Sequence, residues 1–259
     1  LSVEAAIELL SEQAATLSMC FSDEELAQFT TYLNALAAYN ANVNLVSDAS
    51  PQLVVKRHIL DCLAVVEVLA RITGESDGGS VRDPEAERRT LIDVGSGAGL
   101  PGLIIAIACP ALDVVLLDSI GKKTRFLQQS AKELGLDKRV SVLTGRAEEL
   151  GRTERRGSFN FATSRAVGHL GLVAELTLPL LKSRGRLLCQ KSRKQVGLEV
   201  KELAPSLEEM GGSKPEIIVP NLQTGETEHV VVSIEKRKGT RQTYPRAWAE
   251  IIRHWKGQV

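Results

Sequence analysis

The apolar positions of the chain change their rhythm near residue 90. Before it, they recur at three- and four-residue spacing. In FSDEELAQFTTYLNALAAYN, Leu26, Phe29, Leu33, Leu36 and Ala37 give one apolar face, the pattern of an amphipathic helix. Ser22 followed by Glu25 reads as a capping box, with Phe21 placed as a staple residue. The Asn-rich stretch Asn40 to Asn44 predicts a break. A second helix is predicted from near Pro51 through VVKRHILDCLAVVEVLARI, its mostly apolar end buried against something larger. Residues 74–90 are glycine-rich and charged, with almost no apolar content, and predict a loop or flexible connection.

From Leu91 the apolar residues come in short runs that alternate with helical stretches. TLIDV, DVVLLDS, RVSVLTG, FNFATS and RLLCQKS read as five strands. LIIAIACP, KKTRFLQQSAKELGL and LGLVAELTLPLLKSRG read as helices between them, the first stopped by Pro110 and the last closed near Gly185. After the helical VKELAPSLEEMG, the stretch EIIVPNLQTGETEHVVVSIEK predicts two final strands paired antiparallel. Such alternation predicts a doubly wound α/β fold: a mostly parallel sheet covered on both faces, preceded by a helical cap. The expected organisation is a cap over 1–73, a connection over 74–90, a core over 91–235 and a basic extension over 236–259.

Composition narrows the class. An apolar fraction of 43% and a charged fraction of 25% are ordinary globular values. No apolar run approaches the length of a membrane span. The opening LSVEAAIELL carries two glutamates and no basic residue, so it does not read as a secretory signal. Cys20, Cys62, Cys109 and Cys189 are scattered, without metal-ligand or redox spacing. They are expected as small buried apolar residues in a reducing cytoplasm. Net charge is zero but unevenly spread. Residues 1–55 hold seven acidic side chains and no Lys or Arg, and residues 236–256 hold seven Lys or Arg and one Glu. The basic end reads either as a face for a polyanion or as a solvated tail.

The chemistry concentrates at Asp93-Val94-Gly95-Ser96-Gly97-Ala98-Gly99, a strand-to-helix turn. Glycines there let a ligand approach the backbone, and the following helix presents free N–H groups. Asp118, at the end of the next strand, can accept hydrogen bonds from ribose hydroxyls. Gly97, Gly99 and Gly102 also satisfy the dinucleotide spacing, so a nicotinamide-dependent oxidoreductase is an alternative. S-adenosylmethionine is the preferred ligand, because a carboxylate at Asp93 suits the amino acid portion of that cofactor and would be badly placed beside a pyrophosphate.

In combination, KRHILDC (56–62), DVGSGAGLPG, LLDSIGKKTRFL, GRAE (145–148), SRA (164–166) and EHVVV (228–232) resemble the bacterial 16S rRNA guanine-N7 methyltransferase family, also known as the glucose-inhibited division protein B family. The resemblance covers roughly residues 25 to 237. This chain departs from the family pattern at Cys62, at Ser192 and in the tail, where Tyr244-Pro245-Arg246 runs on into AWAEIIRHWKGQV. The resemblance implies a seven-stranded, Rossmann-like class I methyltransferase sheet. It also implies methyl transfer from S-adenosylmethionine to N7 of a guanine in the decoding-region loop of 16S rRNA, free or in an assembling small subunit. A cytoplasmic monomer is expected. A non-catalytic RNA-binding protein on the same fold is the remaining alternative.

N7 of guanine carries no proton at neutral pH, so no general base is expected. The loop after the fourth strand reads ATSRAV, and lacks the (N/D)PP(Y/F) pattern common among methylators of exocyclic amines. Gly95, Gly97, Gly99 and Leu100 are expected to shape the donor pocket, with a backbone contact at Gly95 implied by the resemblance. Asp118 is assigned to ribose, and Ser119, Ile120, Ala147 and Glu148 to adenine. Glu148 can also be a helix-start carboxylate. Arg165 matches the family's donor-site residue and is the candidate positioning group, with a loop-supporting salt bridge as its other reading. Arg57, His58, Lys122, Lys123, Lys191 and Arg246 are the candidate substrate contacts. His58 and Asp61 share a helix face, which suits a structural pair or a site border. Trp248 and Trp255, seven apart, predict one helical stripe, for packing or for base stacking. No metal ligand set is expected.

Overall fold

A computed structural model describes residues 2–74, 88–221 and 229–256. The expected connection at 74–90 therefore falls largely outside the described residues, as do Glu228 of the last family motif and the end of the tail.

Three helical stretches precede the sheet. Helix α1 spans Val3–Ala15 and α2 spans Asp23–Asn40. The capping box at the start of α2 forms: Glu25 N–H donates to Ser22 Oγ, and Ser22 N–H donates to the Glu25 carboxylate at 2.7 Å. Phe21 closes onto Phe29, edge to face, at 5.0 Å between centroids. Then come α3 (Pro51–Val54), a π-helical turn (Val55–Ile59) and α4 (Leu60–Thr73). The single helix expected from Pro51 is thus interrupted by a wider turn that carries Lys56, Arg57 and His58. Such turns recur at functional sites. Every residue of α4 from Leu60 to Leu69 is buried, Asp61 and Glu67 included.

The rest alternates: β1 (Arg89–Val94), α5 (Gly102–Ala108), β2 (Leu112–Asp118), α6 (Gly121–Glu133), β3 (Val140–Thr144), α7 (Ala147–Leu150), β4 (Phe159–Ser164), α8 (Leu170–Thr177), β5 (Leu181–Ser192), α9 (Arg193–Leu207), β6 (Glu216–Ile218), β7 (His229–Glu235) and α10 (Trp248–Lys256). The seven strands form one sheet in the order β3-β2-β1-β4-β5-β7-β6. The first five strands pair parallel, and β7 pairs antiparallel with both β5 and β6. The expected helix over LGLVAELTLPLLKSRG is shorter than its apolar pattern. Pro179 sits in a 3-10 turn, and the chain is already extended as β5 from Leu181.

Side-chain alternation splits the core in two. Leu91, Val114, Leu116 and Phe161 face α1, α2, α4, α5 and α6. Ile92, Val94, Val115, Leu117 and Ala162 face α8, α9 and α10. Cys62 and Cys189 are buried as expected, whereas Cys20 is exposed and Cys109 half-buried. Among the described residues no helix is long and apolar enough to cross a membrane.

Candidate active site

Strand order reverses between β1 and β4, and there the connections after neighbouring strands part to leave a crevice at the carboxyl ends of the sheet. The turn after β1 fills one side of it. Gly95 and Ser96 donate their N–H groups to Leu117 O at 2.8 and 3.1 Å, and Ser96 Oγ donates to Asp93 O at 2.9 Å. Gly97, at φ +57°, donates its N–H to Asp118 Oδ2 at 2.9 Å. A Cβ at Gly97 would come no closer than 3.8 Å to its surroundings, whereas one at Gly95 (φ +77°) would strike Val167 Cγ2 at 2.5 Å. The helical cap braces this turn from behind: the buried Tyr32 hydroxyl donates to Ala98 O at 2.9 Å.

The turn opens on a cavity of about 420 Å³. That is within the usual range for small-molecule sites. Gly95, Gly97, Leu100, Asp118, Ser119, Ile120, Ala147, Glu148 and Arg165, expected from the sequence, all line it. Of the expected cofactor set, Gly99 is not on the wall, and a Cβ there would strike Leu103 Cδ1 at 2.5 Å. Asp118 is nearly buried and holds Gly97 N–H with one oxygen and Ile120 N–H with the other, both at 2.9 Å. Each oxygen keeps a lone pair for another donor. Glu148 accepts from Arg146 Nε at 2.9 Å and lies in the first turn of α7, so both readings of it are compatible with its place.

Asp93 differs from its expected role. It is fully buried behind the turn and accepts from Gly102 N–H at 3.0 Å, while its second oxygen has no hydrogen-bond partner among the described residues. Burial pushes its carboxyl up to about 7. The side chain braces the loop from the core side, and a strand-end carboxylate read from sequence alone carries no sign of which side of the turn it occupies.

A second cavity, of about 810 Å³, adjoins the first. His58, Arg165, Ala166 and Val167 line both. Arg57, Asp61, Lys191, Ser192 and His229 line only the second. At the shared wall, Arg165 Nη2 lies 3.1 Å from His58 Nδ1, and Arg165 Nη1 lies 3.6 Å from Asp61 Oδ2. Asp61 also holds His229 Nδ1 at 3.3 Å. A guanidinium only donates, so His58 Nδ1 accepts and a neutral His58 carries its proton on Nε2. Burial first, then the Arg165 charge, lower the pKa of His58, whereas the hydrogen bond to Asp61 raises that of His229. Ala166, at φ +57°, turns the chain sharply between Arg165 and Val167.

The other candidate substrate residues divide. Arg57 is exposed at the rim of the second cavity, and Lys123 lines the first. Lys122 is exposed and lies on neither cavity wall. Lys191 is tied to Glu199 at 2.6 Å and to Gly168 O at 2.7 Å. Arg246 is not on a cavity wall: it grips the fully buried Glu175 through Nε at 2.8 Å and Nη2 at 2.6 Å. The basic tail is likewise no loose arm. Lys236 is buried against Leu178 O, Lys238 pairs with Glu208, and Arg241 pairs with Glu209. Leu45, Val46, Ser47, Arg146, Val167 and Trp248 also line the first cavity, beyond what the sequence pattern assigned. Asn40 supplies the signal for the first three. Its amide oxygen receives the N–H groups of Leu45 and Val46 at 2.7 and 2.9 Å and folds that loop inward.

The residues present fit S-adenosylmethionine. Ile120 and Trp248 are exposed apolar side chains on the first cavity, and Leu198 is another on the second. Only five large apolar side chains are exposed among the described residues, so three of them border the two cavities and leave apolar surface for a ligand to cover. A backbone cradle, a carboxylate on the cavity wall and an apolar slot, set in this sheet order, define a methyltransferase that uses S-adenosylmethionine as methyl donor. A family model described as rRNA small subunit methyltransferase G matches residues 25–217. Proteins named ribosomal RNA small subunit methyltransferase G from Lachnoclostridium phytofermentans and Lactococcus lactis are 35% and 34% identical. The alignments cover 92% of this chain and 92% of the first protein, and 87% of this chain and 88% of the second. One from Clostridium botulinum is 32% identical over 95% of this chain and 97% of its own. The chain belongs to the rRNA small subunit methyltransferase G family, which sets aside the nicotinamide alternative.

Proposed function

We propose that the protein transfers a methyl group to N7 of a guanine in the decoding-region loop of 16S rRNA, working as a cytoplasmic monomer on that RNA or on an assembling small subunit. The observation that carries this reading is the junction of the two cavities at Arg165, within a chain whose relatives bear the name of a small-subunit rRNA methyltransferase. Bound S-adenosylmethionine supplies an electrophilic methyl on a sulfonium, and transfer is an in-line displacement that rests on alignment. In this reading the 95–97 turn and Leu100 seat the donor, and Asp118 takes the ribose hydroxyls. Ser119, Ile120, Ala147 and Glu148 border the adenine. The base enters the second cavity past Arg57 and His58.

Arg165, held by His58 and Asp61, stands where donor and acceptor meet. Its fork is fixed before the base arrives, which favours positioning over proton transfer. His58 suits the same chemistry. Its Nδ1 is already engaged and its pKa is lowered, so it stays neutral and adds no positive charge beside an incoming methyl cation equivalent. An N7 acceptor has no proton to lose, and no side chain has to remove one. Single-turnover methylation at saturating RNA, followed from about pH 6 to 9, is therefore expected to show no rising limb. A steep rise assignable to one deprotonating group would contradict an N7 acceptor and point to an amine or hydroxyl.

A further inference from the structure

The first cavity has a wall that the family match does not reach. Residues 25–217 carry that match, yet Trp248, the first residue of α10, lines the cavity beside Ile120 and Arg146 to Glu148. Its indole is not packed away. Trp248 is 38% exposed, while Trp255, on the same helix, is fully buried. The Arg146 guanidinium lies over the Trp248 ring at 4.1 Å from its centroid, and Arg146 is itself held by Glu148.

The placement is rigid because the segment leading into α10 is clamped. Arg152 donates to Pro245 O at 2.7 and 3.2 Å, and Arg156 donates to Tyr244 O at 2.9 Å. Arg246 and Trp255 Nε1 both close on Glu175, the latter at 2.9 Å. Ile251 and Trp255 are fully buried. A flat aromatic ring, partly bare, backed by a fixed cation and set at the edge of a nucleoside-sized cavity, is the usual means of gripping a base by its face.

We propose that Trp248 is a donor-binding residue: the C-terminal helix completes the methyl-donor cavity, and the Trp248 ring packs on the adenine of S-adenosylmethionine. This rests on the assignment of the first cavity to the donor. It makes the C-terminal segment part of the cofactor site, in place of a separate RNA arm. Glu148, Arg146 and Trp248 then act as one unit, in which the carboxylate fixes the guanidinium and the guanidinium fixes the ring.

The chain has only two tryptophans, one on the cavity and one in the core, so binding has an optical readout besides calorimetry. S-adenosylmethionine, S-adenosylhomocysteine and adenosine are titrated into the parent, Trp248→Ala and Trp248→Phe. Trp248→Ala is expected to weaken all three by about tenfold, the usual worth of one stacked ring. Trp248→Phe keeps most of the affinity. Ligand binding changes tryptophan emission in the parent and leaves it unchanged in Trp248→Phe, where only the buried Trp255 reports. Thermal melting of the free variants stays at the parent value, since the ring is half-exposed. Parental affinity in Trp248→Ala, or an emission change that persists in Trp248→Phe, overturns the proposal while the donor assignment stands. Failure of the parent to bind any of the three overturns the donor assignment itself, and this proposal with it.

Discussion

Residues at the glycine turn carry two jobs that look alike in sequence. Asp93 and Asp118 are both strand-end carboxylates, yet one is sealed behind the turn and the other faces the cavity. The sealed one leaves a thermodynamic mark. Its carboxyl is raised from an ordinary 3.8 to about 7 by burial. A raised carboxyl contributes stability that is fully present below its ordinary value and lost as the pH rises through its folded value. Asp93→Asn has no proton to lose there, and its amide oxygen can still accept from Gly102 N–H. Chemical unfolding from acid to mildly alkaline pH should therefore show the parent losing stability relative to Asp93→Asn up to about pH 7, and no further change above it. Parallel pH curves would mean that Asp93 is not held in a water-free setting. That Gly95, Gly97, Leu100, Asp118, Ser119, Ile120, Ala147 and Glu148 gather at one cavity was legible, because one turn and two adjacent strand ends carry them all. Trp248 and Arg146 were not. Their meeting depends on how a distant helix packs, and local pattern holds no trace of that.

Strands and helices follow the apolar rhythm over most of the chain, and where they depart from it the causes are identifiable. The π-helical turn at Val55–Ile59 leaves the three- and four-residue rhythm nearly intact, so sequence shows one continuous helix. The run 170–185 is apolar through most of its length, and only Pro179 marks where helix gives way to strand. The two tail tryptophans do share one helix, but one packs in the core and the other borders the cavity. The seating of α10 depends on α8 having no side chain at Gly171. A Cβ there would lie 2.2 Å from the Trp255 ring. Gly171→Ala should thus cost about 1–3 kcal/mol through overpacking. A lower urea midpoint at unchanged slope would record it. An unchanged midpoint would show that α10 rests on α8 less tightly than that approach implies.

Across the whole molecule, charge and shape assign different work to cations that look interchangeable in sequence. The seven basic residues of the tail suggest a polyanion-binding arm, but Lys236, Lys238, Arg241 and Arg246 each engage partners within the fold. Arg57, exposed at the mouth of the second cavity, is better placed to meet phosphate. Removing one cation that neutralises a phosphate should flatten the logarithmic salt dependence of RNA binding by about 0.7 to 0.9. Filter binding across a salt series should show that flattening for Arg57→Gln. Arg246→Gln should lower stability, by removing the cation that pairs with the buried Glu175, and leave the salt slope unchanged. The opposite outcome would return the tail to the role of docking arm.

The most direct measurement is of the product itself. The protein is incubated with methyl-labelled S-adenosylmethionine and, separately, with small-subunit particles, free small-subunit RNA and large-subunit RNA, all from cells lacking the modification. The RNA is then digested to nucleosides. Label is expected in 7-methylguanosine alone, from small-subunit material, and is expected to be lost in Arg165→Ala. Label in an exocyclic amine, in a ribose hydroxyl or in large-subunit RNA would contradict it. So would tight donor binding with no transfer to any of the three substrates.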